Sequence, residues 1–180
     1  MADDLSKGVR STASIGGHPI HPMLVPFPIA FLVGALATDL VYWGTGNTFW
    51  AGFSVWLVGA GLVMGAVAAV FGLTDFLTIQ RARAGSTGWV HFLGNSLALV
   101  LALVSLLLRI GDPVAAVLPG GLVLSFIIVA ILLVTGWMGG ELAYRYKIGV
   151  IEKDVVEPLV GAGTDRAYAA DRPKHMPPGV

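Results

Sequence analysis

Histidine and carboxylate side chains give this 180-residue sequence its clearest chemical potential. His18 and His21 belong to the motif Gly-His-Pro-Ile-His-Pro, Asp75 follows a long apolar run, and His91 opens the next one. Imidazole and carboxylate groups suit zinc, iron or copper, and imidazole is also an axial ligand of haem iron. The sequence therefore predicts a transition-metal ion held by His18, His21, Asp75 and His91, or a b-type haem held by His91 with His18 or His21.

Two arginines complete the haem hypothesis, and a structural interpretation stands beside it. Arg81 and Arg83 can pair with haem propionates as cationic partners of carboxylates. Alternatively, the HPxHP motif is only a rigid entry into the first helix, and its histidines cap the helix or form hydrogen bonds. Prolines are tolerated there because the first N–H groups of a helix have no intrahelical partner. The fourth histidine, His175, stands in a Pro-rich tail and is assigned no role. No nucleophile elbow, phosphate loop or HExxH motif occurs, so no catalytic residue is assigned.

Four long apolar stretches must position these residues. They cover residues 23–43, 50–77, 89–108 and about 114–137, and each is long enough to cross roughly 30 Å of hydrocarbon as a helix. Short connections favour antiparallel packing of consecutive helices. The predicted fold class is an all-α membrane protein, a four-transmembrane-helix antiparallel bundle. We expect a polar segment at residues 1–22, the transmembrane domain at 23–147 and a cytoplasmic tail at 148–180.

Proline and charge patterns refine this architecture. Because a residue before proline is pushed away from the helical region, His18 and His21 are both expected on extended backbone leading into the first helix. Lysines and arginines concentrate in the first segment, the second connection and the tail, whereas the opposite side holds only Arg109. The positive-inside rule then predicts that both termini are cytoplasmic.

The antiparallel order predicts which polar residues share a membrane level. His18, His21, Asp75 and His91 fall at the cytoplasmic end, where Asp75 needs a histidine, an arginine such as Arg81, or a cation as its partner. Asp39 lies eighteen residues beyond His21, roughly 27 Å along a helix, and cannot join that site. Arg109 is expected at the level of Asp39, so the two should form an ion pair.

Composition excludes several classes of function. With 11 basic and 11 acidic residues the net charge is zero, so nothing favours nucleic-acid binding. The absence of cysteine excludes a disulfide framework, a thiol nucleophile and an iron–sulfur cluster on this chain.

The sequence resembles a bacterial family of predicted membrane proteins described as domain of unknown function 2231. The resemblance covers most of residues 16–150, and it rests on the HPxHP motif with Val-Pro-Phe-Pro after it, Asp39, Gly-Leu-Thr-Asp-Phe ending at Phe76, His91 with Asn95, and Gly-Gly-Glu-Leu ending at Leu142. It implies four membrane helices in the bacterial inner membrane. Some related domains are joined to Rieske-type or cytochrome-like modules, so the resemblance suggests a redox partner.

These features favour a haem- or metal-binding redox module. They are also consistent with a structural or accessory subunit that docks a membrane partner, and with a small cation or proton transporter using Asp75 and the histidines. All three imply contact with the lipid bilayer. Pairs of small residues, Gly61 with Gly65 and Gly136 with Gly140, permit close helix contact within the bundle or in a homo-oligomer.

Overall fold

Four long helices make up most of the protein. The structure, a computed structural model, describes residues 7–150. The four helices that are long and apolar enough to cross a membrane are the first span (Ile20–Thr45), the second (Thr48–Thr78), the third (Ser86–Gly111) and the fourth (Pro113–Arg145). This confirms the predicted four-helix membrane fold, and each span is longer than its apolar stretch indicated.

The spans are built from shorter elements. In chain order these are β1 (Ser14–Ile15), β2 (His18–Pro19), α1 (Ile20–Leu24), α2 (Pro26–Thr45), α3 (Thr48–Thr78), α4 (Gln80–Arg83), α5 (Ser86–Gly111), α6 (Pro113–Ala116), a π-helical turn (Val117–Gly121), α7 (Leu122–Gly140) and a second π-helical turn (Glu141–Arg145). The first span joins α1 and α2, and the fourth joins α6, α7 and both π-helical turns.

Local sequence signals fix the connections between spans. The first span ends at Gly46, whose φ of 65° is the left-handed conformation that glycine adopts without strain. The Asn47 side chain then accepts a hydrogen bond from Phe49 N–H and caps α3. The Asp112 side chain caps the fourth span by accepting bonds from the N–H groups of Val114 and Ala115. These caps satisfy amide groups that have no partner in the helix.

The HPxHP motif differs from its prediction at one histidine. Ser14–Ile15 and His18–Pro19 form a two-residue antiparallel hairpin around a Gly-Gly turn, so His18 lies on extended backbone as expected. His21 instead lies in the first turn of α1, and the prediction of extended backbone there was wrong. Pro22 is only the third residue of that helix, where no intrahelical N–H is required, so the helix begins despite the proline.

Each span packs against at least two others, and the start of the fourth, α6, also contacts the second. The first contacts the second and fourth, and the third contacts the second and fourth. We call the first two spans the first hairpin and the last two the second hairpin. Residues 7–19 and 146–150 meet at one end of the bundle, where Val9 N–H donates to the Lys147 carbonyl and Gly149 N–H to the Val9 carbonyl. We call this the terminal end.

The two hairpins repeat one burial pattern. Buried positions of the first span recur seventy residues later in the third, in the pairs Pro28/Ala98, Leu32/Ala102, Ala35/Ser105 and Asp39/Arg109. Buried positions of the second span recur sixty-seven residues later in the fourth, in the pairs Ser54/Gly121, Val58/Ser125, Gly61/Ile128 and Ala68/Thr135. Both hairpins start at the terminal end, so an approximate two-fold axis along the bundle relates them.

The small-residue pairs have different roles. Gly61 is covered by Leu32, and Gly65 by Leu99 and Pro28, so this pair packs inside the bundle. A Cβ added to Gly136 or Gly140 would meet no atom within 4 Å. That second pair therefore borders open space.

Candidate functional site

His21 and His91 face each other at the terminal end of the bundle. Their ring centroids are 6.1 Å apart and the ring planes are nearly perpendicular, at 87°. His21 is supplied by α1 at the start of the first hairpin, and His91 by α5 at the start of the second. The two residues are seventy positions apart, the same separation as the buried pairs of the first and third spans. The histidines therefore occupy equivalent positions on either side of the approximate two-fold axis.

Each ring is held by a backbone carbonyl of its own hairpin. The Nδ1 atom of His21 lies 2.8 Å from the Ala68 carbonyl oxygen, and that of His91 lies 2.8 Å from the Thr135 carbonyl oxygen. A carbonyl can only accept, so in both histidines Nδ1 carries the proton and donates it. In a neutral imidazole with this Nδ1 proton, Nε2 carries the lone pair. This is the arrangement that second-sphere carbonyls impose on metal-ligating histidines.

Glycines make room for both rings. A Cβ added to Gly72 would lie 2.7 Å from Nδ1 and Cε1 of His21, and one added to Gly139 would lie 3.0 Å from Cε1 of His91. Each glycine lies four residues after the residue whose carbonyl accepts from the ring, one helical turn further along the same face. The helix that holds each imidazole by its carbonyl therefore also leaves a gap into which the ring fits.

Asn95 extends the support of His91. Its amide nitrogen donates to the His91 carbonyl at 2.7 Å, and its amide oxygen accepts from the Thr135 hydroxyl at 3.2 Å. The residue that accepts from the His91 ring is thus itself fixed to the helix that carries His91. No equivalent amide stands in the first hairpin, where position 25 is Val25.

A cavity of about 1090 Å³ surrounds the two histidines. Small and apolar side chains from all four spans line most of it, among them Ala30, Ala69, Leu99 and Gly136. Within residues 7–150 neither Nε2 atom has a hydrogen-bond partner, and no fully buried side-chain nitrogen or oxygen there lacks one. Both Nε2 atoms therefore border the cavity rather than protein.

Asp75 lies at the rim of the cavity but has a structural partner. Its carboxylate accepts from the Ser11 hydroxyl at 2.7 Å and from Ala13 N–H at 2.9 Å. The expectation that a histidine or Arg81 would partner Asp75 was wrong, and the expectation of a cation stays a prediction. Backbone N–H groups are strong donors at any residue type, which is why no side-chain pattern pointed to the segment before β1.

The remaining predicted ligands lie outside the cavity. His18 is exposed, and its Nδ1 lies 3.1 Å from the Gly16 carbonyl in its own turn. Arg81 is buried and donates to the carbonyls of Lys7 and Tyr146, whereas Arg83 is exposed. His175 falls beyond the described residues. Of the four predicted metal ligands the structure brings together only His21 and His91, and residues 7–150 contain no group of three potential ligands that could hold an ion.

The predicted Asp39–Arg109 ion pair is confirmed at the opposite end of the bundle. Arg109 NH1 and NH2 each lie 2.7 Å from one Asp39 oxygen, and neither side chain is exposed. Three serines and a backbone carbonyl complete the hydrogen bonds of this cluster: Ser54, Ser105, Ser125 and the Gly121 oxygen. Because the hydrogen bonds of this buried ion pair are all satisfied, we assign the pair a structural role.

Comparison with known proteins identifies a family. The family model described as "Predicted membrane protein (DUF2231)" matches residues 17–152. No curated protein and no solved structure matches the chain.

Proposed function

The chain belongs to the DUF2231 family of predicted membrane proteins, and we propose that it is a haem-binding redox module of the bacterial inner membrane. His21 and His91 would hold the haem iron through their Nε2 atoms. Both termini would face the cytoplasm, as the distribution of lysine and arginine favours.

The spacing of the two imidazoles carries this proposal. Histidine nitrogens bind metals at about 2.0–2.1 Å, so two imidazoles on opposite sides of one metal have ring centroids roughly 6 Å apart. The observed centroid distance is 6.1 Å. Since each Nδ1 proton is already committed to a carbonyl, only Nε2 is available, and both Nε2 atoms border the same cavity.

The donor set favours haem over a bare ion. Two protein ligands leave a transition-metal ion short of its usual coordination, and residues 7–150 offer no third ligand in range. A haem needs only axial ligands from the protein because the macrocycle supplies four nitrogens. Because His21 belongs to the first hairpin and His91 to the second, a haem would be held between the two hairpins.

The cavity suits a haem around the two histidines, but the predicted partners of the propionates lie elsewhere. Apolar lining suits the macrocycle, and the glycines opposite each ring leave it space. Arg81 and Arg83, the expected propionate partners, do not line the cavity.

The residues of the chain would act mainly by fixing geometry. A bound haem would supply reversible one-electron transfer. The carbonyls of Ala68 and Thr135 would keep both imidazoles in the Nδ1-protonated tautomer, and Asn95 would hold Thr135 in place. An apolar shell around the iron raises the energy of charge there and so tunes the potential. Electrons would be exchanged with a membrane or redox protein partner.

The test is spectroscopic. Protein purified in detergent and incubated with hemin should give a Soret band and, after dithionite reduction, sharp α and β bands, with metal analysis at one iron per chain. His21→Ala and His91→Ala should each lose this low-spin spectrum, and His18→Ala should keep it because His18 lies outside the cavity.

Other results would overturn the proposal. Bound metal without haem bands would favour the ion site. If wild type takes up neither haem nor metal, or if His21→Ala retains the low-spin spectrum, the accessory-subunit and transporter hypotheses move ahead of it.

A further inference from the structure

The cavity is closed on the side that faces the chain ends. Residues 7–19 and 146–150 form a cap over it, in which Ser11 and Ala13 bind Asp75. Thr78 donates to the Thr12 hydroxyl at 2.9 Å, and Arg81 donates to the carbonyls of Lys7 and Tyr146. Hydrogen bonds from both ends of the described chain thus cover the aqueous approach to the histidines.

On one of the two lateral sides, large side chains from both spans meet. Between the second and third spans, Leu99 packs on Gly65 so closely that a Cβ there would lie 2.6 Å from the Leu99 Cδ2. Nearer the terminal end, the rings of Phe76 and Phe92 stack with centroids 4.7 Å apart. The second span contributes exposed lining residues, Ala66, Val70 and Leu73, but none of the third-span residues that line the cavity is exposed.

The other lateral side, between the first and fourth spans, is lined by small or exposed residues. Ala30 and Val33 of the first span line the cavity and are exposed. Across from them, Gly136 and Gly140 of the fourth span line it too, and a Cβ on either would meet nothing within 4 Å. We call these four residues the portal. They lie within helices of membrane-spanning length, so the portal faces lipid.

We propose that the ligand of the His21–His91 pair enters from the lipid phase through the portal. The site would then take a flat, apolar molecule that partitions into the bilayer, and cytoplasmic water-soluble ligands would be excluded by the cap. The identity of the ligand as haem rests on the function proposed above. The route itself is a property of the cavity and can be tested with no ligand present.

Spin-label accessibility tests the route. The chain lacks cysteine, so a nitroxide on Ile29→Cys, which lines the cavity, reports from one place. In liposomes it should be relaxed strongly by oxygen, which concentrates in lipid, and weakly by a water-confined nickel chelate, as at the exposed reference site Phe27→Cys. Strong relaxation by the nickel chelate would mean an aqueous opening and would overturn the proposal.

A matched pair of leucine substitutions locates the opening. Gly136→Leu should lower the oxygen accessibility at position 29 severalfold by filling the portal. Gly52→Leu, in the second span at a position equally free of neighbours, should not. If both variants or neither change the accessibility, the opening is not at the portal.

Hemin transfer links the route to the ligand. When hemin is supplied in the liposome bilayer, Gly136→Leu should slow its uptake by roughly tenfold, whereas Gly52→Leu should take it up at the wild-type rate. Equal uptake rates in wild type and Gly136→Leu would refute entry through the portal. A wild type that binds no hemin would refute the proposed function alone, because the nitroxide measurement decides the route separately.

Discussion

The rings of His21 and His91 lie with centroids 6.1 Å apart, although the two residues belong to different hairpins and neither bonds the other hairpin through Nδ1. Asp39 and Arg109 meet in the same way at the opposite end of the bundle. Each partner is seventy residues from the other in both pairs. Both polar pairs therefore lie across the approximate two-fold axis, with the cluster of Leu32, Ala102 and Ile128 in the core of the bundle.

A methyl group added to either glycine beside the histidines should displace the neighbouring imidazole ring. Gly72→Ala would place a Cβ 2.7 Å from the His21 ring, and Gly139→Ala one 3.0 Å from the His91 ring. Each ring must then move, so we expect loss or marked broadening of the low-spin haem signal in electron paramagnetic resonance, more severe for Gly72→Ala. Gly52→Ala, with no atom within 4 Å, is the control. An unchanged signal in Gly72→Ala would show that His21 is not held as described.

Removing one charge of the buried ion pair should destabilise the bundle. Asp39→Asn leaves Arg109 without its counter-charge, which should cost about 3–5 kcal/mol. The double variant Asp39→Leu with Arg109→Leu should lose less, because no unpaired charge remains. Unfolding in mixed detergent and dodecyl sulfate micelles, followed by circular dichroism, measures both.

A surface pair provides the control for this measurement. Arg145 and Glu141 are 3.0 Å apart, but the Arg145 side chain is 75% exposed, so Glu141→Gln should change stability by no more than about 1 kcal/mol. If Asp39→Asn lowers the free energy of unfolding no more than Glu141→Gln does, the buried ion pair does not stabilise the bundle more than a surface pair.

Loss of the Asp75 carboxylate should loosen the cap. Asp75→Ala removes the acceptor of two hydrogen bonds, so the amides of residues 7–19 should exchange with deuterium faster, by roughly tenfold. Thr74→Val is the control, since the Thr74 hydroxyl bonds only the Val70 carbonyl of its own helix. Equal exchange in both variants would mean that Asp75 does not hold the cap.

The orientation proposed for the bundle can be measured with single cysteines. Gly46→Cys, between the first two spans, should react with a membrane-impermeant maleimide added to intact spheroplasts. Arg83→Cys, between the second and third, should react only after the membrane is opened. The reverse pattern would place both termini outside, contrary to the positive-inside rule.

Two pairs of side chains that meet across the bundle were predictable from the sequence. Arg109 could be paired with Asp39 because both are charged at a membrane depth where few alternatives exist. The approach of His21 to His91 followed from antiparallel threading alone. The longer reach of each span was missed because caps and proline starts add helical turns beyond the apolar runs.

The backbone hydrogen-bond partners and the internal repeat could not be predicted from the sequence. The carbonyls of Ala68 and Thr135 and the N–H of Ala13 have no side-chain signature, so neither the tautomer of the histidines nor the partner of Asp75 could be predicted. The two hairpins share burial but not chemistry: Pro28 corresponds to Ala98, Leu32 to Ala102 and Asp39 to Arg109. A repeat of this kind emerges only once buried positions are known.

Because of the Asp39–Arg109 pair, each hairpin needs the other to neutralise its buried charge. Two copies of the first hairpin assembled about the same axis would bury two Asp39 carboxylates face to face, and two copies of the second would bury two guanidinium groups. Either assembly would confine like charges in a low-dielectric interior. Only one hairpin of each kind gives a neutral centre, so exchange of hairpins between neighbouring molecules must always preserve that heterologous match.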